Sequence, residues 1–288
     1  MNSPKEIAQN YIALGTSKTQ YTALKMLVLG IIAGLCLALA GTGSTIASAT
    51  LSGTTLANAG KLLSAVIFPA GLAMILVGGG ELFTSNCMIV ISVMEKEVKI
   101  SALLKNWFFV YIGNFIGSMI VVLITVYGGT YSMFGNAAAV AAINTAVVKV
   151  TIPFGEALLR GIFCNFLVCV AVFMSFAAKD VIGKIAAVFL PIMVFVLCGY
   201  EHSIANMYFI PTGILASLNF DYYKAYGDAY QLSNLASLSW GTLFLRNLIP
   251  VTIGNILGGS GLVGIVYWFS YLYDPAKKTP VKVSGRKK

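Results

Sequence analysis

Apolar runs of about 20 residues recur along this 288-residue chain, and they constrain its fold more than any other feature. A helix of that length crosses the hydrocarbon core of a bilayer, whereas the strands of a membrane barrel give shorter, alternating segments. Only 10% of the residues are charged and 58% are hydrophobic, a balance that soluble globular domains do not show. The sequence therefore predicts an all-α integral membrane protein.

Lysines and arginines mark the ends of alternate apolar runs. Of 19 such residues, three lie in the amino-terminal tail, three between residues 96 and 105, two at residues 179 and 184, and six in the carboxy-terminal tail. The positive-inside rule places these segments in the cytoplasm. The distribution predicts six crossings of the plasma membrane (the bacterial inner membrane) with both termini cytoplasmic. It also explains the net charge of +9 without nucleic acid as a partner, because basic tails lie beside anionic lipid of the bilayer.

The chain is predicted to form a single transmembrane channel domain over residues 1–288, with cytoplasmic tails at residues 1–24 and 274–288. Within the first tail, residues 5–24 fit either an amphipathic helix on the membrane surface or a loosely ordered segment. The stretch between the third and fourth crossings, which carries Lys149 and Pro153, fits an external loop. The predicted crossings lie at about 27–49, 62–93, 106–127, 157–178, 185–218 and 243–273.

The second and fifth crossings contain breaks that a lipid-facing helix would not tolerate. The first break is Gly-Gly-Gly-Glu at residues 78–81, and the second is Cys-Gly-Tyr-Glu-His at residues 198–202. Each glycine weakens a helix by roughly 1 kcal/mol and exposes its backbone. Interrupted helices at membrane depth line cavities, and ionisable residues persist there where they serve a site. His202, the only histidine of the chain, is therefore the leading candidate for a functional residue.

The two breaks belong to an internal repeat. The pattern Gly-x-Glu-x4-Asn occurs at residues 79–86 and 199–206, and Ile-Gly-Asn-x-x-Gly occurs at residues 112–117 and 253–258. With three crossings in each half, corresponding helices run in opposite directions, which predicts an inverted 3+3 repeat over about 25–127 and 155–273. The amino-terminal ends of the resumed half-helices then meet near the midplane, where their partial positive charge favours a small anion.

With these motifs, and with Arg-Gly-Ile-Phe-Cys-Asn at residues 160–165, the sequence resembles the formate/nitrite transporter family, nearest to its bacterial hydrosulfide channel branch. The resemblance covers nearly the whole chain, and the Asn-Pro-Ala motif of aquaporins is absent from it. It implies a homopentamer in which each protomer has an aquaporin-like six-helix fold and its own pore.

The resemblance also implies roles for individual residues. The pore would be closed by two apolar constrictions around a small chamber, within a polar surround. Phe68 and Phe195 would form the outer constriction, and Leu72, Leu82 and Phe83 the cytoplasmic one. The chamber would contain His202 and Thr84, and the polar surround would consist of Lys149, Asn165, Glu201 and Asn206.

Each role has a simpler structural alternative. His202 is expected to donate a hydrogen bond to the anion or to exchange a proton with it, but it could also be a buried imidazole bonded to backbone. Glu201 would repel an anion, so we expect it to face away from the pore and accept hydrogen bonds from Lys149 or backbone N–H groups. Thr84 could line the pore, cap the resumed helix, or do both. By spacing alone, the apolar constriction residues are ordinary core residues.

The sequence thus predicts a channel for small monovalent anions, with hydrosulfide as the best candidate and formate or nitrite as further ones. The alternative is a proton-coupled secondary transporter for a weak-acid anion. An intramembrane hydrolase using Ser44 and His202 is disfavoured because no oriented acid or oxyanion site is recognisable. One histidine and five cysteines within apolar runs do not form a metal site, and no cofactor is expected.

Overall fold

The computed structural model describes residues 1–275, and the regular structure within them is entirely helical. The α-helices are α1 (Pro4–Thr19), α2 (Ala23–Ser48), α3 (Ala57–Ile67), α4 (Ala70–Gly78), α5 (Phe83–Asn86), α6 (Val90–Met94), α7 (Ile100–Tyr127), α8 (Ala137–Thr151), α9 (Phe154–Ser175), α10 (Val181–Leu197), α11 (Ser203–Ala216), α12 (Phe220–Ala229), α13 (Trp240–Thr242), α14 (Ile249–Ile256) and α15 (Val266–Tyr271). Short 3-10 helices lie at Ala49–Leu51, Cys87–Ile89, Thr130–Ser132 and Leu232–Ser237, and π-helical segments at Leu243–Leu248 and Leu257–Ile265.

Five helices in the described part of the chain are long and apolar enough to cross a membrane: Ala23–Leu51, Ala57–Gly78, Ile100–Tyr127, Phe154–Ser175 and Trp240–Tyr271. The fifth predicted crossing is not among them, because its break divides it into the shorter helices α10 and α11. Most of the predicted basic tail, residues 276–288, lies outside the described residues.

Both predicted breaks are present, and they have the same backbone geometry. Gly79 and Gly199 have φ angles of 86° and 69°, in the left-handed region that glycine adopts without steric cost. The chain is then extended at Leu82 (φ −109°, ψ 125°) and at His202 (φ −111°, ψ 117°), directly before α5 and α11 begin. In each break, a new helix therefore begins four residues after the left-handed glycine.

Glycines allow two helix pairs, α2 with α7 and α9 with α14, to approach closely. A Cβ added at Gly117 would lie 2.1 Å from the carbonyl oxygen of Ile31, and one at Gly254 would lie 2.2 Å from that of Leu158. Because the opposing atoms are backbone, a side chain larger than hydrogen would push the helices apart. Small residues at such crossings are the usual means of close packing in lipid.

The structure differs from the sequence-based prediction between the third and fourth crossings. The predicted external loop contains the 15-residue helix α8, whose small residues pack on α11. Ala146 lies so close to Gly213 that a Cβ on the glycine would be 2.2 Å from that of the alanine. The high helix propensity of the alanine-rich segment explains the helix, and its 15 residues are too few to cross the bilayer.

The amino-terminal segment is a helix, and not a loosely ordered tail. Ser3 and Glu6 form a capping box at the start of α1, and Pro4 occupies its first turn. The helix buries Ile7 and Tyr11, and the Tyr11 hydroxyl donates to the carbonyl of Ser85 at 3.1 Å. This contact attaches α1 to the first break.

Candidate functional site

The two breaks meet at a hydrogen bond between Thr84 and His202. The Thr84 Oγ1 and His202 Nε2 atoms are 3.1 Å apart, and the residues are 0% and 3% exposed. Thr84 lies in the first turn of α5, and His202 is the N-cap of α11. The structure thus brings together the two residues that the sequence placed in the central chamber.

The hydrogen bonds of His202 assign its tautomer. The backbone N–H of Ala205 donates to His202 Nδ1 at 3.2 Å, so Nδ1 is an acceptor and carries no proton. A neutral imidazole then has its proton on Nε2 and donates it to Thr84, which leaves the Thr84 hydroxyl proton available for another acceptor. A charged imidazolium would place a second N–H against that of Ala205 and lose the helix cap.

A small cavity of about 10 Å³ lies beside His202, and we call it the chamber. This volume is roughly that needed for one water molecule. Its other walls are apolar: Leu37, Phe68, Leu72, Leu82, Val168, Ile192 and Phe195. Thr84 is not among these wall residues, and it is joined to them through its hydrogen bond with His202. An anion that occupies the chamber must leave nearly all of its hydration shell outside.

Larger spaces lie on both sides of the chamber. Phe68 and Phe195, whose rings meet edge to face at 5.7 Å, lie with His202 between the chamber and a cavity of about 330 Å³. We call this cavity the Lys149 vestibule; its walls include Ser44, Lys61, Ser64, Lys149, Arg160 and Tyr200. On the other side, Leu82 separates the chamber from a cavity of about 30 Å³ whose walls include Tyr11 and Lys18, which we call the Lys18 cavity.

Four of the five predicted constriction residues therefore line the chamber, and Phe83 lies elsewhere. The Phe83 ring packs edge-on against Tyr111 and Trp107, with ring centroids 5.0 and 5.7 Å away. Its backbone N–H donates to the side chain of Asn114 at 3.0 Å, and the residue is not a wall of the chamber or of either neighbouring cavity. In this structure Phe83 fixes the start of α5 against α7.

Glu201 is the centre of a buried polar cluster beside the second break. Its Oε1 accepts from the Lys149 ammonium at 2.8 Å, and its Oε2 accepts from the side chains of Asn206 and Asn247 at 2.7 and 3.3 Å. Asn247 also donates to the backbone carbonyl of Lys149 at 3.0 Å. The cluster, which we call the Glu201 cluster, therefore holds α8, the break and the sixth crossing together.

Glu81 is the centre of a corresponding cluster beside the first break. The Lys18 ammonium lies 3.1 Å from Glu81 Oε1 and donates to Asn86 Oδ1 at 2.8 Å. Asn86 in turn donates to Glu81 Oε2 at 2.7 Å and to Asn106 at 2.9 Å. The two clusters differ at the asparagine oxygen, because Asn86 Oδ1 binds the lysine whereas Asn206 Oδ1 is buried without a hydrogen-bond partner. They also differ at the carboxylate, since Asn247 donates to Glu201 Oε2 and Lys18 donates to Glu81 Oε2. We call this group the Glu81 cluster.

Sequence reasoning missed Lys18, Asn106 and Asn247 as members of these clusters. A signal for Lys18 was present, since Lys18 precedes Gly30 by the same 12 residues that separate Lys149 from Gly161. Asn106 and Asn247 each follow a basic residue, Lys105 or Arg246, ahead of the Ile-Gly-Asn motif. Nothing in the sequence indicated which neighbours these asparagines contact.

Asparagines also satisfy the backbone of both breaks. Asn114 donates to the carbonyls of Gly30 and Glu81 at 2.8 and 2.9 Å, and Asn255 donates to those of Gly161 and Glu201 at 2.8 and 3.0 Å. In a second group, Asn165 donates to the carbonyls of Thr84 and Asn255 at 3.2 and 2.7 Å. Asn165, which was predicted to belong to the polar surround, thus binds the backbone carbonyl of Thr84.

The serine proposed for the hydrolase alternative is not positioned against the imidazole. Ser44 lines the Lys149 vestibule, but its hydroxyl donates to the carbonyl of Ser64 at 3.1 Å. His202 Nε2, the nitrogen that a nucleophilic hydroxyl would need, is bonded to Thr84. The two residues therefore form no nucleophile–base pair.

Known proteins share both this fold and this sequence pattern. The family model described as "Formate/nitrite transporter" matches residues 5–269, a range that includes both breaks. The formate channel FocA of Escherichia coli K12 is 36% identical over 273 residues, covering 94% of this chain and 95% of that protein. A probable formate transporter of Methanothermobacter thermautotrophicus is 33% identical over 292 residues, covering 94% of this chain and 98% of that protein. A solved structure, a pentameric formate channel with formate bound, matches with a TM-score of 0.78 at 34% identity, over 87% of this chain and 98% of that chain.

Proposed function

Because the chain belongs to the formate/nitrite transporter family, a family of multi-pass membrane transporters and channels, we propose that it is a channel for small monovalent anions. The observation that carries the proposal is the neutral Thr84–His202 pair beside a chamber with apolar walls. Apolar constrictions exclude hydrated ions, and a fixed hydroxyl donor offsets part of the dehydration cost of an ion that does pass.

Formate is the first candidate substrate, since the named relatives are formate channels and transporters. Nitrite and hydrosulfide are of similar size and charge, and the hydrosulfide preference expected from the sequence stays a prediction. We further propose a homopentamer with one pore per protomer, by analogy with the pentameric relative. The Lys149 vestibule would face outward, with both termini in the cytoplasm.

Residues of the Glu201 and Glu81 clusters have a supporting role in this proposal. Both carboxylates are bonded to lysine and asparagine side chains, which neutralises them near the path of an anion. Phe68 and Phe195 would form the outer constriction, and Leu72 and Leu82 the inner one. His202, which lines the chamber, and the Thr84 hydroxyl bonded to it would together supply the donor to the dehydrated anion.

Flux measurements in liposomes test the proposal. Purified protein is reconstituted, and the uptake of formate, nitrite, hydrosulfide and chloride is compared with that of protein-free liposomes. Wild type should carry the first three faster than chloride. Thr84→Val and His202→Asn should slow them, whereas Thr84→Ser, which keeps the hydroxyl, should retain most of the flux. Equal uptake with and without protein would refute the channel hypothesis.

The same liposomes test the proton-coupled alternative. A pH-sensitive dye inside them reports whether a proton accompanies each anion. The Ala205–Nδ1 bond favours the uncoupled mode, because protonation of His202 must break that bond. Acidification of the lumen that follows anion uptake one for one would instead support the transporter.

A further inference from the structure

Three cationic side chains line the Lys149 vestibule, and they are not equivalent. Lys149 is paired with Glu201 at 2.8 Å, and Arg160 with Glu156 at 2.8 Å. Lys61, an exposed residue of α3, has no carboxylate oxygen within 4.0 Å among the described residues. The uncompensated positive charge of this vestibule is therefore that of Lys61.

The position of Lys61 places that charge at the break. Its Nζ atom lies 3.4 Å from the point where a Cβ on Gly199 would be. Along α3, Lys61 precedes Phe68 by seven residues, which corresponds to about 10 Å at 1.5 Å per residue. This distance is well within the Debye length at 10 mM ionic strength, about 30 Å, but exceeds the value of about 8 Å at physiological ionic strength. The ammonium therefore acts at the Phe68–Phe195 constriction most strongly at low salt.

The cavity on the opposite side of the chamber has no matching uncompensated charge among its described wall residues. The Lys18 cavity contains a lysine, but its ammonium is bonded to Glu81 and Asn86. Among its other described wall residues, none is basic. The chamber itself contributes no net charge when His202 is neutral. Of the two cavities that flank the chamber, only the Lys149 vestibule thus has an uncompensated cation among its described wall residues.

We infer that Lys61 recruits anions to the Lys149 vestibule and makes permeation from that side faster than from the other. The inference rests on the proposed channel function and adds a residue and a direction to it. A charge in a concave, low-dielectric mouth raises the local counter-ion concentration, and the effect falls steeply with salt. The expected loss for Lys61→Gln is roughly two- to fivefold in inward anion current at 10 mM ionic strength, and less than twofold at 1 M.

The test is a charge series at residue 61, read as single-channel current at both polarities. Lys61→Arg should behave as wild type, and Lys61→Gln should lose current from the vestibule side only. Lys61→Cys, made in a background where the accessible Cys36 and Cys198 are replaced by alanine, can be modified with a cationic or an anionic methanethiosulfonate. The cationic reagent should restore the current, and the anionic reagent should lower it below that of Gln.

Lys224 supplies the matched control. It is an exposed lysine on α12, which packs on α8, and it does not line the vestibule. Lys224→Gln should leave the current unchanged at both salt concentrations. The role of Lys61 is overturned if Lys224→Gln loses as much current as Lys61→Gln. It is also overturned if the current lost by Lys61→Gln is independent of salt or equal from both sides. Neither result contradicts the channel function itself. A wild-type protein that carries no anion current overturns the proposed function, and the inference with it.

Discussion

Replacing Glu201 by glutamine removes the carboxylate oxygen that accepts the Lys149 ammonium, and the structure indicates how much this should cost. Three donors converge on the carboxylate: Lys149 on Oε1, and Asn206 and Asn247 on Oε2. A glutamine has one acceptor oxygen and one NH2 group, so in either orientation its NH2 faces a donor. At least one charge-assisted or buried hydrogen bond is lost, and such a bond contributes roughly 1.5–3 kcal/mol.

Glu81→Gln is the matched comparison, because the two ion pairs are similarly buried. The side chains of Lys18 and Glu81 are 12% and 6% exposed, and those of Lys149 and Glu201 are 15% and 4% exposed. Lys18 keeps its 2.8 Å bond to Asn86 Oδ1 after Glu81→Gln, whereas the Asn206 oxygen holds no lysine. Glu201→Gln should therefore be more destabilising than Glu81→Gln by about one charge-assisted bond, roughly 1.5–3 kcal/mol.

Thermal unfolding of the purified protein in detergent measures this difference. At about 2–4 °C per kcal/mol for a chain of similar size, the Glu201→Gln midpoint should lie roughly 3–12 °C below that of Glu81→Gln. The double variant Lys149→Met/Glu201→Gln should recover part of the loss, since it removes the buried unpaired ammonium. Equal midpoints for the two glutamine variants, or a double variant less stable than Glu201→Gln, would refute the reasoning.

Two further perturbations follow from the packing. Phe68→Ala removes the edge-to-face partner of Phe195 and opens the chamber to the Lys149 vestibule. Chloride flux into liposomes should therefore rise relative to formate flux. An unchanged ratio of the two fluxes would show that this ring pair does not select between the anions. Gly258→Ala should abolish folded protein in size-exclusion profiles, because its Cβ would lie 2.0 Å from the carbonyl oxygen of Ile162, whereas Gly261→Ala, with nothing within 4 Å, should elute as wild type. Normal elution of Gly258→Ala would contradict the close approach of these helices.

The all-helical fold and the breaks could be predicted from the sequence because their signals are local. Long apolar runs set the helices, and Gly79 and Gly199 mark the points where the backbone turns left-handed. Glutamate and asparagine at fixed spacing after each glycine indicated a polar cluster. Lys149 was predicted as a donor to Glu201, but no lysine was predicted for Glu81. Lys18 was missed because its contact with Glu81 spans 63 residues, and only its spacing to Gly30, shared by Lys149 and Gly161, indicated it.

Two other features required the three-dimensional structure. Leu82 and Phe83 are adjacent and both apolar, so their sequence does not indicate which one faces the chamber. The extended backbone at Leu82 sends their side chains in different directions, and the bond from Phe83 N–H to Asn114 orients Phe83 toward α7. The helix α8 was predicted as part of an external loop because polar residues recur in the segment, and burial of its alanines against α11 depends on a distant segment.

The asparagines that satisfy the breaks lie downstream of them, which has a consequence for synthesis on the ribosome. Asn114 is 33 residues beyond Glu81, and Asn255 is 54 residues beyond Glu201. At about 5–20 residues per second, each break waits roughly 2–11 s before its partner is made. During that interval its free carbonyl and N–H groups have no helical partner, a state that lipid penalises. We therefore expect a break to stay in the translocon or in contact with water until the segment with its asparagine has been inserted. A nascent chain that stalls before that point would expose the unpaired turn.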